Sequence, residues 1–298
     1  MSKRQSLKSK IVNCQSFIVI FFITVSFFSW DSASAQRVTT AQLQSWEAEG
    51  DTLMAQENFS AAIKSFSRII DATALKDKGA YNALYKRAIC FYYLEKVDLA
   101  LKDVNQFIEE FPYVPQSHIL RALIYRIKED PAGQLQDLNV AIGFQPSNAG
   151  LLKWRAGLLL DEQKFVEAKK DAEGAILFED DPEAETYLAF AHFNLNNPDS
   201  ALFAINKAID LDYSYLPAYL YAGSFCMQKD EYQLGLTYLN LGLRVEPENP
   251  ALLFYKGVAL VELERKDEGC RFLNKAFYKG YDDASDYIKQ YCYSSEDN

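Results

Sequence analysis

Residues 84–112 read LYKRAICFYYLEKVDLALKDVNQFIEEFP. Leu84, Ala88 and Phe91 recur at spacings of four and three, which puts them on one face of an α-helix. Glu95-Lys96-Val97-Asp98 breaks that period, and Leu101, Val104 and Ile108 resume it on a second helix. Phe111-Pro112 ends the second helix, because proline restricts the residue before it and has no amide to donate. The stretch is a pair of short antiparallel helices.

The same pair recurs along the chain. Small residues stand at Gly50, Ala88, Ala122, Ala156, Ala189, Gly223 and Gly257, at spacings of 38, 34, 34, 33, 34 and 34. Twelve residues after each come Ala62, Ala100, Gln134, Ala168, Ala201, Gly235 and Gly269. Seven further on come Ile69, Phe107, Ala141, Ala175, Ala208, Gly242 and Ala276. Close approach explains the small residues, since two helices pack at the short end of the usual axial distances only where something small sits at their crossing. Larger partners such as Trp46, Phe66, Leu84 and Tyr219 fill the flanking gaps. One pair cannot bury its apolar face alone, so stability must come from stacking on neighbours.

At these positions the sequence resembles the tetratricopeptide repeat family. Trp46, Gly50, Leu53, Ala62 and Phe66 follow that family's order of large, small, large, alanine and aromatic. The resemblance covers residues 43–281 as seven units, starting near 43, 81, 115, 149, 182, 216 and 250. It implies an all-α solenoid, a right-handed superhelix of antiparallel helix pairs. Gln134 and Glu185 depart from the pattern, at a small and a large apolar position. Four units lack the closing proline and carry Ala74, Asp180, Tyr213 and Tyr281 there. The four extra residues between the first two units are expected to lengthen a loop around Thr73 to Gly79. Residues 282–298 read as a capping helix and tail, with Asp282 or Asp283 capping a helix whose apolar side is Tyr287, Ile288 and Tyr291.

The N-terminus carries an address. Lys3, Arg4, Lys8 and Lys10 precede an uncharged apolar run from Phe17 to Phe28, and Ala33-Ser34-Ala35 supplies the small residues of a cleavage site. The run is shorter than the ~20 residues that a bilayer span needs. Residues 1–35 are thus expected to be a signal peptide and 36–42 a linker, giving a periplasmic or secreted protein with no stable membrane insertion after cleavage. The whole chain has 298 residues, 49% of them hydrophobic and 24% charged, with a net charge of −10. Cleavage removes four of 31 bases and one of 41 acids, which deepens the charge to −13. That balance excludes binding to nucleic acid through net charge.

No catalytic, cofactor-binding or metal-binding motif is present. His118 and His192 fall at packing positions two units apart. Acid clusters at Glu179-Asp180-Asp181 and Asp282-Asp283 lack the alternation of a calcium loop. Cys90 and Cys226 read as buried small hydrophobes. Cys270 begins the last second helix and Cys292 ends the cap, so an antiparallel return brings them near each other as a possible disulfide.

What remains is a surface. In the family, the first helices of successive units line a groove. The resemblance maps Tyr85, Ile89, Tyr92, Tyr93, Leu123, Arg126, Lys153, Phe190, Phe193, Leu220 and Phe254 onto its wall. Lys153 and Arg126 are expected to fix an acidic group. The sequence lacks the lysine and asparagine set with which some family members clamp a chaperone's C-terminal carboxylate. The expected function is that of an exported scaffold or adaptor binding a protein or peptide partner without catalysis. The alternative is a small-molecule or glycan-binding module using the tyrosines. If the address is read correctly, intact-mass analysis of the exported chain will show it beginning at Gln36; a mass retaining residues 1–35 would contradict the cleavage.

Overall fold

The computed structural model describes residues 38–76 and 78–293. The expected signal peptide, the first two linker residues and the last five residues of the tail lie outside the described residues. Among those described, the regular elements are all helical. The described residues divide into two compact units, with the division after Ala141.

The N-terminal unit holds α1 (Thr40–Ala55), α2 (Phe59–Thr73), α3 (Lys78–Tyr93), α4 (Val97–Glu110), α5 (Pro115–Ile127) and α6 (Pro131–Phe144), whose last turn passes the division. The C-terminal unit holds α7 (Ala149–Asp161), α8 (Phe165–Phe178), α9 (Pro182–Asn194), α10 (Pro198–Leu211), α11 (Leu216–Gln228), α12 (Tyr232–Val245), α13 (Pro250–Glu262) and α14 (Lys266–Tyr278). A short α15 (Ala284–Tyr287) runs into a π-helical turn, Ile288–Cys292. In the C-terminal unit the helices of each pair pack together, each second helix packs on the next first helix, and consecutive first helices touch.

The small residues sit where the two helices of a pair cross. A Cβ on Gly269 would lie 2.8 Å from the Gly257 carbonyl oxygen and 3.0 Å from the Val261 amide nitrogen, both backbone atoms that cannot move aside. Ala62, Ala88, Ala100, Ala122, Ala156, Ala168, Ala189 and Ala201 hold the equivalent places and are fully buried. Around these crossings Phe66, Ile69, Leu84 and Phe107 form the core of the N-terminal unit, and Ile205, Ala208, Ala218 and Phe225 part of that of the C-terminal unit. Gln134 takes a small residue's place and is buried, its amide donating to the Asp130 carbonyl.

Every pair turns in the same way. Glu57, Glu95, Glu129, Gln163, Asn196, Asp230 and Glu264 each stand seven residues after the small residue, with φ between 54 and 60°. The following amide returns to a carbonyl five residues back, as from Lys96 to Phe91 (2.9 Å) and from Arg265 to Leu260 (2.9 Å). This is the left-handed C-cap that satisfies the last carbonyls of a helix, a position usually held by glycine. None of the seven is glycine.

Three consecutive pairs share a polar tie that periodicity of apolar residues does not reveal. Arg87 donates to both oxygens of Asp103 (2.7 and 3.0 Å), Arg121 to both of Asp137 (2.8 Å each), and Arg155 to both of Asp171 (2.6 and 2.7 Å). All three aspartates are buried. Arg87 and Arg121 also reach back to Ser67 and Asn105 on the preceding second helix, so each arginine links neighbouring pairs. Asp137 further faces His118 Nδ1 (2.9 Å), while His118 Nε2 faces the Pro112 carbonyl oxygen (2.9 Å). His118 is a buried packing residue, as its place in the repeat implies, but both its nitrogens are engaged.

Several expectations need correction. The first helix starts at Thr40, inside the expected linker, and α3 starts at Lys78 rather than near 81. The extra residues between the first two units therefore extend a helix as well as the loop. Neither Asp282 nor Asp283 caps the terminal helix with its side chain; the amides of Ala284 and Ser285 bond instead to the carbonyls of Tyr281 and Asp282. The cap is a single α-turn plus a π-turn, not one regular helix. Ala284 and Ile288 anchor it on Leu253, Phe254, Leu273 and Ala276, and Cys292 is bonded to Cys270 of α14. Glu185 is buried with one carboxylate oxygen lacking a hydrogen bond and the other 3.6 Å from Lys207. Burial raises its pKa, opposed by the Lys207 charge.

Breaking the Arg121–Asp137 tie leaves a buried carboxylate facing His118 without its guanidinium. Arg121→Ala is expected to cost about 3 kcal/mol, and replacement of both residues by leucine less than that. Urea denaturation of the three proteins checks the order.

Candidate functional site

The candidate positions occur in both units and each unit offers its own face of first helices. In the N-terminal unit Tyr85 is half-buried and lies against Phe107 with ring centroids 4.9 Å apart, and Tyr93 stacks on Phe59 at 4.6 Å. Ile89 is half-buried and Arg126 exposed. Tyr92 and Leu123 are buried, at 3% and 8% exposure, and serve as packing residues rather than free wall. Burial pushes the Tyr93 phenol up to about 12 and raises Tyr92 as well, against the pull of the Arg126 charge.

Lys86, a cation of this face in addition to Arg126, is already occupied. Its ammonium donates to Glu47 Oε1 (2.8 Å) and Asp51 Oδ2 (2.9 Å) across to α1. Burial alone would lower the Lys86 pKa, but the hydrogen bonds to Asp51 and Glu47 reverse that and raise it. Two carboxylates on one lysine leave an acidic excess.

The C-terminal unit repeats this device. Lys153 on α7 ion-pairs with Asp181, the N-cap of α9, and with Glu183 (2.9 Å). Asp181 is fixed by the amides of Glu183 (2.8 Å) and Ala184 (3.0 Å), which the start of a helix leaves free. Glu183 in turn accepts a hydrogen bond from the Tyr187 hydroxyl (2.9 Å). The Tyr187 ring lies over Gly157 of α7, where a Cβ would come within 3.3 Å of it. For Lys153, burial lowers the pKa and the bonds to Asp181 and Glu183 more than restore it, so it is raised; for Asp181, burial raises the pKa and Lys153 with the two amides pulls it below the usual range.

Beyond this clamp lies a row of phenols that the sequence mapping passed over. Tyr187, Tyr221 and Tyr255 follow one another at spacings of 34, one position past the wall positions counted from the family pattern. That spacing was the signal available. Tyr215 lies near Glu183, Asp181 and Tyr221, and Tyr221 near Asp161 and Tyr255. Burial first, and these neighbours second, raise the phenols of Tyr187, Tyr215 and Tyr221; burial, Tyr255 and Asp283 push Tyr281 up to about 12. Tyr187, Tyr215 and Tyr221 are therefore held neutral, and the Tyr187 hydroxyl stands against the Glu183 carboxylate.

The remaining candidates are held by ring packing. Phe190 meets Tyr221 edge-on at 5.5 Å, and Phe193 stacks on Phe225 at 4.2 Å. Leu220 is half-buried beside Tyr219, Leu239 and Leu252. Phe254 is buried at 6% exposure between Tyr281 (4.7 Å) and Tyr287 (5.1 Å), so it belongs to the cap's core and not to an open wall. Rings of the cap close over Phe254, while Tyr92 and Leu123 are buried among the packed helices. The expectation that Lys153 fixes an acidic group fails for another reason, since two carboxylates of this chain already hold it.

Free thiols remain at Cys90 and Cys226, both buried, and burial pushes them up to about 12 and about 11. Unreactive thiols are what such sites produce. Among the described residues no three His, Cys, Asp or Glu side chains are grouped to hold a metal ion.

The model of the tetratricopeptide repeat family matches residues 47–115. A tetratricopeptide repeat protein from Parabacteroides merdae shares the fold over 85% of this chain and 100% of that one, with TM-score 0.62 and 14% identity. The C-terminal part of a tetratricopeptide repeat-containing protein from Cytophaga hutchinsonii matches over 80% and 98%, with TM-score 0.63 and 18% identity. Residues 47–115 thus match the family's own pattern, and the family's fold extends over most of the chain. The tetratricopeptide repeat fold is that of a scaffold for protein interaction. PilF of Pseudomonas aeruginosa is similar over 70% of this chain and 97% of its own, with TM-score 0.55 and 16% identity. At such identities the likeness is one of fold alone. No curated protein matches this chain in sequence.

The Lys153 clamp has a definite pH signature. Its lysine contribution is present below the unfolded lysine pKa and is lost as pH rises through the folded value. Its aspartate contribution is present above the unfolded aspartate pKa and is lost as pH falls through the depressed folded value. Lys153→Met is expected to cost about 2 kcal/mol at neutral pH and to shrink the acid-side loss belonging to Asp181. Thermal melts of both proteins across the acid range check this.

Proposed function

We propose that this protein is an exported, non-catalytic adaptor that holds a protein or peptide partner on its first-helix faces. The observation that carries the reading is the side-chain content of those faces. Half-buried Tyr85, Ile89 and Tyr93 in one unit, and Tyr187, Phe190, Phe193, Leu220 and Tyr221 in the other, form aromatic and aliphatic surface on rigid helices. Tyrosine in particular offers a large contact area for two rotatable bonds, and aromatic anchors dominate binding energy in interfaces.

Export is supported by the basic start, the apolar run Phe17 to Phe28 and Ala33-Ser34-Ala35. The Cys270–Cys292 bond adds to it, because disulfides persist in oxidising compartments. A periplasmic or secreted location follows. No helix among the described residues is long and apolar enough to cross a membrane.

Photocrosslinking tests the surface. A photoreactive residue placed at Ile89 or Ser224, on first helices, is expected to capture the same polypeptide in the native host. The same residue at Lys102 or Asn240, on second helices, is expected to capture none of it. Equal capture from all four positions, or from the second helices alone, would exclude the first-helix faces as the docking surface.

A further inference from the structure

We infer that the first-helix face of the C-terminal unit takes a basic segment of its partner, one rich in lysine or arginine, and not an acidic one. The inference rests on the docking reading above and adds the charge of the occupant.

The cations on that face have been spent. The helices α7, α9, α11 and α13 carry three lysine or arginine side chains between them, Lys153, Arg155 and Lys256, and burial lowers the pKa of their one histidine, His192. Lys153 is held by Asp181 and Glu183, Arg155 by both oxygens of Asp171, and Lys256 lies over the Phe272 ring at 4.1 Å. An incoming carboxylate would find no uncommitted positive charge on these helices.

The negative side is not balanced in the same way. Asp181 and Glu183 share one lysine, and Asp161 stands exposed at the end of α7. The phenols of Tyr187, Tyr215 and Tyr221 stand among these carboxylates and offer ring faces and hydroxyl oxygens. Carboxylate together with aromatic surface is the chemistry that receives ammonium and guanidinium groups, by ion pairing and through the negative ring face. The chain itself shows the second mode, for Lys229 lies over the Phe193 ring at 5.8 Å. An acidic segment would meet like charges at close range, which acts against binding.

Two fluorescein-labelled peptides test the assignment on the purified exported chain. They have equal length and apolar content, and carry either lysines and arginines or glutamates at the same positions. Fluorescence polarisation is expected to show binding of the basic peptide only. The double variant Asp161→Asn with Glu183→Gln is expected to weaken it about tenfold. Asp161→Asn alone, at an exposed position, should weaken it in the same direction and guards against a folding defect. The control variant Glu173→Gln with Asp210→Asn removes the same charge from second helices and is expected to leave binding unchanged. Equal weakening by face and control variants would overturn the inference, since net charge alone would then explain the affinity. Binding of the acidic peptide would also overturn it while leaving the docking face intact. Failure of both peptides, with crosslinking from Ser224 also absent, would remove the docking face along with it.

Discussion

Two helices crossing at backbone distance are the constraint on which this structure depends. Between α13 and α14 the Gly257 carbonyl lies so near Gly269 that a Cβ there would sit 2.8 Å away. Alanine meets the same demand in most other pairs and is fully buried there. Once the crossing is that tight, the larger residues on either side are driven into the gaps against the next pair, where burial of apolar area supplies most of the stability. Helix lengths, turn positions and the layering of first helices all follow from repeating the crossing.

Polar side chains then distinguish one pair from another within that repeating frame. Arginine–aspartate ties hold the second, third and fourth pairs, linking helices where the crossing leaves a buried polar slot. In the fifth to seventh pairs the equivalent places carry Leu188 with Ala204, Ala222 with Tyr238, and Lys256 over Phe272. One lysine in each unit is treated alike: Lys86 and Lys153 each receive two carboxylates of the chain itself. Around these two lysines the faces present tyrosine, phenylalanine and leftover negative charge, and the lysine charge is turned inward to serve stability.

Much of the fold was legible in residues 84–112 and their recurrences, because a helix pair with a small crossing residue leaves a three-point signature of fixed phase. The seven turns were less legible. Their left-handed residue is Glu57, Glu95, Glu129, Gln163, Asn196, Asp230 or Glu264, and only a geometry enforced by packing on both sides puts such residues where glycine is the usual choice. The cap was legible as a helix and a cysteine pair, but not its π-turn, which depends on how Ile288 seats on Leu273 and its neighbours. At the candidate site, the aromatic wall could be mapped by position, yet Tyr92, Leu123 and Phe254 proved buried, and the Tyr187, Tyr221, Tyr255 row fell one position outside the map.

Sequence by itself determined the repeat, its helix pairs and the acidic character of the chain, since these depend on residues near one another along the chain and on composition. Tertiary structure alone decided which charges the first-helix faces leave over. Lys153 reads as a free cation until folding brings Asp181 and Glu183, some thirty residues further on, to its ammonium. Charge that belongs to a surface is settled by which groups meet across helices, and linear spacing does not carry that information.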